Sequence, residues 1–215
     1  MGSPAYDQYE LIASEYARTF AGEFESRPFD RAVLRSFADL VARAGGRTAL
    51  DVGCGPGEAA AELAGCGLQT EGIDGSAAMV SLAEQQWPEV RFRTADMFDL
   101  PYAPETFDAV CAWYSIIHTP AAALPELFTE YRRVLTEPGW VLLGFQTDGE
   151  PAVYDHAFGR DVELTFLRHD TAAVCAALEA TGFTVYATTM RARQAQLDEP
   201  TAQAMVIAHT PDYHP

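Results

Sequence analysis

Two hydrophobic rhythms alternate along the chain. Between residues 5 and 24, Tyr9, Ile12, Ala13, Tyr16 and Phe20 fall three or four apart, the spacing of one helix face. Arg27-Pro28-Phe29-Asp30 then reads as a break and a helix start, with Asp30 as candidate cap. Val33, Leu34, Phe37, Leu40, Val41 and Ala44 continue at helical spacing until Gly45-Gly46. A short apolar run, Ala49, Leu50 and Val52, predicts a first strand, and Ala-rich helical sequence through Leu63 and Ala64 follows it to Gly65 and Gly67. Leu68 to Asp74 predicts a second strand, Val90 to Arg93 a third and Thr106 to Ala112 a fourth. Leu124, Leu127, Phe128, Tyr131, Val134 and Leu135 form the cleanest amphipathic helix, which turns into a fifth strand over Val141 to Phe145. Asp170 and Thr171 open a helix that Gly182 stops, and Phe183 to Met190 and Ala202 to Ala208 predict the last two strands. Residues 147–169 are the least readable. Val162 to Leu167 fits a strand, and the position of this insertion suits it to shaping specificity.

At 215 residues the chain is long enough for one α/β domain with a full core and an added cap. Its net charge of −17, with only 14 Lys and Arg, repels phosphate backbones, so nucleic acid is disfavoured as a partner. No apolar run approaches the ~20 residues that span a bilayer, and no secretory leader is visible. Cys54, Cys66, Cys111 and Cys175 are scattered, without metal-ligand spacing. These features fit a reduced, cytoplasmic protein that meets neither membrane nor nucleic acid.

The candidate chemistry centres on Asp51-Val52-Gly53-Cys54-Gly55-Pro56-Gly57, a glycine turn between the first strand and the next helix. Glycines at alternate positions let the backbone bend sharply and approach a ligand that a Cβ would exclude. The helix that follows offers free N–H groups. Asp51, facing the turn, would repel a pyrophosphate and hold an ammonium or sulfonium. The spacing also departs from G-x-G-x-x-G, since Glu58 stands at the third glycine position. Asp74 ends the second strand, 23 residues after Asp51, where a carboxylate accepts both ribose hydroxyls of an adenosine or, alternatively, caps the next helix, a task open to Ser76. After the fourth strand, Trp113-Tyr114-Ser115-Ile116-Ile117-His118 places aromatics, a hydroxyl and an imidazole at the carboxyl edge of the sheet. His118 is there either a general base or a loop hydrogen-bonder that orients Tyr114.

The Asp51–Gly57 turn resembles motif I of the class I S-adenosylmethionine-dependent methyltransferases, specifically small bacterial enzymes acting on small molecules. Gly75-Ser76 with Met79, Phe107-Asp108 and the Trp113–His118 run fit the same pattern. So does Arg132-Arg133-Val134-Leu135, although Trp140 replaces a usual glycine. The resemblance runs from about residue 30 to 209. It implies a doubly wound, seven-stranded, mostly parallel sheet with an antiparallel last strand, helices on both faces and an N-terminal helical cap. Residues 1–30 would be the cap and 31–215 the methyltransferase domain.

By the same resemblance, S-adenosylmethionine is bound and S-adenosylhomocysteine released. Asp51, Gly53, Gly55 and Gly57 would serve the methionyl end, Asp74 the ribose, and Asp96 with Met97 the adenine; Cys54, Gly75, Met79, Phe98, Ala112 and Trp113 complete the cofactor set. Tyr9 and Tyr16 would close over the acceptor beside Tyr114, Ser115 and His118, with His118 and Tyr114 nearest the chemistry. The expected reaction is metal-independent methyl transfer to an O, N or C nucleophile of a small metabolite, such as a secondary-metabolite scaffold, by a monomer or homodimer. Two rivals stand beside it: a non-catalytic S-adenosylmethionine-binding protein, and a nicotinamide-dependent oxidoreductase, which Asp51 and Glu58 disfavour.

Overall fold

The computed structural model describes residues 4–211. Five parallel strands form its centre: β1 (Thr48–Val52), β2 (Gln69–Asp74), β3 (Arg91–Thr94), β4 (Phe107–Trp113) and β5 (Leu135–Thr147). Two more, β8 (Thr184–Arg191) and β9 (Ala202–His209), complete a sheet ordered β3-β2-β1-β4-β5-β9-β8, with β9 antiparallel to both neighbours. The chain reverses its direction of winding between β1 and β4, which puts a crevice at the carboxyl ends of these two strands.

Alternation along the strands divides the core. From β1, Leu50 and Val52 face α6 (Leu124–Val134) and α7 (Thr171–Ala180), packing with Phe128, Tyr131 and Leu178. Ala49 faces the other way, toward Leu34, Phe37 and Val41 of α3 (Pro28–Arg43) and Leu63 of α4 (Glu58–Gly65). Next to them, α5 (Ala77–Gln86) covers the β3 edge through Val80 and Ala83, which pack with Phe92 of β3. The predicted caps differ in outcome. Ser76 Oγ accepts the Met79 amide at 3.1 Å and Asp170 Oδ1 the Ala173 amide at 2.8 Å, as N-caps do. Asp30, expected as a cap, instead lies in the first turn of α3, fully buried, bonded to Arg191.

The insertion holds a strand that its sequence hides. β6 (Ala152–Ala157) and β7 (Arg160–Phe166) form a separate antiparallel hairpin. The alternation of β7 (Val162 and Leu164 inward) is legible, whereas β6 is exposed or half-exposed throughout and has no apolar stripe to betray it. Helix α1 (Pro4–Phe20) packs its Ile12 on Val162 and Leu164. Polar contacts fix it further: Gln8 Oε1 accepts the Glu163 amide at 2.9 Å and Glu10 Oε1 the Ala78 amide at 3.1 Å, at the start of α5. Helix and hairpin thus form one layer beside the carboxyl ends of the central strands, joined by the short α2 (Glu23–Ser26) to α3. The terminal hairpin does make the sheet edge, but its outermost strand is β8. The last strand, β9, is buried inside.

Candidate functional site

The glycine turn has the conformation its residues demand. Gly53 and Gly57 have φ of +71° and +88°, and a Cβ at Gly53 would stand 2.3 Å from that of Ser115. The amides of Gly53 and Cys54 both donate to Ile73 O at 2.8 Å, which sews the turn to the end of β2. Asp74 holds it from the other side: Oδ2 accepts the Gly55 amide and Oδ1 the Ser76 amide, each at 2.8 Å. Each carboxylate oxygen therefore keeps lone-pair capacity for one further donor, the number that a ribose diol presents. Burial nevertheless raises the Asp74 pKa, against the pull of the Ser76 and Gly55 amides.

Asp51 is different. It is fully buried at the end of β1, and neither oxygen has a hydrogen-bond partner. Burial pushes its pKa up to about 7, only partly opposed by the backbone N–H of Ala60 in the first turn of α4. Such a carboxylate is costly to ionise alone, and a cationic group seated on the turn would relieve that cost. Ser115 Oγ and the Tyr131 hydroxyl are likewise buried and unpartnered. These orphaned atoms fit a polar, cationic ligand between β1 and β4 better than they fit a finished core. The sign of the pH effect follows. Below about pH 4 folded and unfolded states both carry the Asp51 proton; above about 7 the folded state bears the full cost of the charge. In the ligand-free protein Asp51→Asn is therefore expected to melt roughly 5 °C higher than the parent at pH 8, with the difference vanishing near pH 4. Equal pH dependence in the two proteins, by calorimetry, would remove Asp51 as an unpaired buried acid.

The remaining expected cofactor residues are close by. Asp96 Oδ1 accepts the Phe98 amide at 3.1 Å, Met97 is buried with its Sδ 3.9 Å from Thr119 Oγ1, and Phe98 packs half-buried against the core. Cys54 is buried in the turn, and burial raises its thiol pKa. Met79 is buried under the α5 N-terminus, and Ala112 lies within the core on β4. The Trp113 ring lies on the other face, in contact with Gly144 and Phe24.

His118 has defined partners on both nitrogens. Nδ1 is 2.8 Å from Thr165 O, a carbonyl that can only accept, so Nδ1 carries the proton. Nε2 consequently accepts from the Tyr9 hydroxyl at 2.9 Å. Burial lowers the His118 pKa, and the Thr165 carbonyl opposes this only in part. The result is a neutral imidazole with one basic lone pair, oriented by Phe166 at 4.9 Å and Tyr9 at 5.5 Å between ring centroids. Tyr16 continues the aromatic layer, 5.5 Å from Tyr9 and 5.9 Å from Phe158. Tyr114, with φ of +55°, turns toward another neighbourhood, in which Asp30, Arg191, Glu23 and Glu199 set its electrostatics. The partner of His118 is thus Tyr9. Thr165 and Phe166, which support the imidazole, carried no sequence signal, because they come from the hairpin at a separation of 47 residues or more. Tyr6 was also missed as a site residue, although it precedes Tyr9 by one helical turn.

Residues 49–139 match the family model described as a methyltransferase domain. The chain is 30% identical over 111 residues to a demethylmenaquinone methyltransferase of Renibacterium salmoninarum, covering 51% of this chain and 45% of that one. To the protein of the same description from Beutenbergia cavernae it is 29% identical over 175 residues, covering 80% and 70%. The chain spans less than half the length of the Renibacterium relative. Its fold is similar to that of the magnesium protoporphyrin IX methyltransferase of Synechocystis, solved with bound SAM, at a TM-score of 0.73 and 18% identity, over 98% of both chains. Residues 49–139, which hold the glycine turn, the orphaned Asp51 and the amide-held Asp74, thus match a methyltransferase domain, on a fold similar to that of a methyltransferase solved with bound SAM.

Proposed function

We propose that the protein moves the methyl group of S-adenosylmethionine to an O, N or C nucleophile of a small metabolite. The observation that carries this reading is the buried, unpartnered Asp51 carboxylate beneath the Gly53 bend. Bound there, the cofactor supplies a sulfonium methyl already activated for in-line displacement. The chain has three tasks left: to seat the cofactor, exclude water and remove the acceptor's proton. Asp51 and the turn from Gly53 to Gly57 hold the aminocarboxylate end, Asp74 the ribose, and Asp96 with Met97 the adenine. His118 takes the acceptor's proton at Nε2, while the Thr165 carbonyl holds Nδ1–H and steadies the imidazolium. The acceptor hydroxyl or amine takes the position on Nε2 that the Tyr9 hydroxyl holds.

Of the cap read over residues 1–30 and the methyltransferase domain read over 31–215, the described parts, 4–30 and 31–211, act as cap and domain; residues 1–3 and 212–215 lie outside the described residues. Tyr9, Tyr16 and the hairpin's Phe158 and Phe166 favour an acceptor with substantial apolar surface. The acidic surface disfavours nucleic acid, and among the described residues no helix is long and apolar enough to cross a membrane. We expect a monomer or homodimer.

Calorimetric titration with S-adenosylhomocysteine tests the cofactor half of the reading, and methyl transfer to a panel of phenols, carboxylic acids and amines tests the other. Binding without transfer to any acceptor class would favour a sensor over an enzyme. Asp74→Ala is expected to weaken S-adenosylhomocysteine by about 1.5–3 kcal/mol, the worth of hydrogen bonds to a charged acceptor. Unchanged affinity would take Asp74 out of the ribose site.

A further inference from the structure

Tyr6 is wedged into the crevice beside the glycine turn. A Cβ built on Gly75 would lie only 2.3–2.4 Å from Cγ, Cδ1 and Cδ2 of this residue. The ring is therefore laid flush on bare backbone at the tip of β2, in space that any other residue at position 75 would fill. The Met97 backbone N–H and the carboxylates of Asp96 and Asp74 are the polar neighbours of its hydroxyl. A flat ring beside these two acids, with its hydroxyl near the Met97 amide, has the shape and polarity of a purine. Asp74, Asp96 and Met97 are also the groups that the reading above gives to ribose and adenine.

We propose that Tyr6 is an intramolecular stand-in for adenine, which closes the nucleoside half of the site until the cofactor displaces it. The inference rests on the cofactor reading above, and adds that the free protein is self-occupied. Two bodies cannot share the face of Gly75, so the bound adenosine must expel the ring. Expulsion requires the first turns of α1 to move, at the expense of the Glu10 bond to the Ala78 amide. Tyr9 sits one turn further along the same helix, so that movement also draws its hydroxyl away from His118 Nε2. Cofactor binding and exposure of the base are then one event.

A plug of this kind lowers apparent affinity by the fraction of molecules in which the site is open. S-adenosylhomocysteine titrations of the parent and Tyr6→Ala by calorimetry, with association followed by stopped flow, test it. The expected result is tighter binding by Tyr6→Ala, by about tenfold or more and mostly through faster association, with Tyr6→Phe in between. Weaker or equal binding by Tyr6→Ala would overturn the proposal while leaving the cofactor reading intact, because the parent still binds. No binding by either protein would overturn both. Hydrogen exchange of the unmodified protein gives a second measure that needs no variant: amides of residues 5–12 should exchange faster when S-adenosylhomocysteine is bound. Greater protection there would instead make Tyr6 a clamp on the bound nucleoside, against the proposal.

Discussion

Arg191→Ala is expected to destabilise the fold by about 3–5 kcal/mol, enough to threaten folding at ordinary temperatures. The Arg191 guanidinium makes two forked pairs: Nε and Nη2 to Asp30 at 2.7 and 2.9 Å, and Nη1 and Nη2 to Glu199 at 2.6 and 2.8 Å. Arg191 and Asp30 are buried, so removing the cation strands the Asp30 carboxylate away from water and leaves Glu199 with Arg27 at 3.5 Å as its remaining cation. Those carboxylates also tie three parts of the fold together. Asp30 belongs to α3, Arg191 ends β8, and Glu199 folds the loop before β9 by accepting the Gln194 amide at 2.7 Å. Arg191→Lys should recover little, because an ammonium cannot reproduce two planar forks. Urea unfolding measures the loss; a change of less than about 1 kcal/mol in Arg191→Ala would mean that water reaches the cluster and screens it.

The second large effect is expected at His118. His118→Ala should slow turnover by 10²–10⁴-fold, the usual range for a lost general base, without weakening cofactor binding. Tyr9→Phe should cost far less, since Nε2 then loses only an occupant that the acceptor must replace. The pH profile separates a base from a scaffold. Burial holds the His118 pKa below the ordinary histidine value, so the imidazole is already neutral at pH 7. Single-turnover rates in the parent should be flat from pH 7 upward and fall in acid, with the midpoint below about 6.5. In His118→Ala that acid limb should disappear. Near-normal rates in the variant would demote His118 to a support for the hairpin through Thr165.

What could be read from the chain and what could not divide along a physical line. The strands β1, β2 and β4, the glycine turn and the amphipathic α6 declare themselves through local rules: period, backbone freedom and helix ends. Asp74 was legible for the same reason, as an acid at a fixed distance from a turn that it then braces through Gly55. Asp30 misled because a carboxylate beside Pro28 has the local features of a cap, while its actual partner is 161 residues away. The β6–β7 hairpin carries so little burial of its own that its fold depends on Ile12 from the other end of the chain. Tyr9 and His118 were each visible, one as a helix-face aromatic and one as a loop imidazole. Their hydrogen bond spans 109 residues and was not, and it decides which lone pair is basic.

The position of β9 has a consequence for biosynthesis. β5 and β8 emerge from the ribosome before the strand that must lie between them, so for a time each carries an unsatisfied edge of backbone donors and acceptors. Until residues 202–209 arrive, the nascent chain has a strand-wide gap flanked by Leu142, Leu143 and Phe145, a template for pairing with a neighbouring polypeptide. Damage to the closing strand would therefore show first as insoluble protein rather than as lost catalysis.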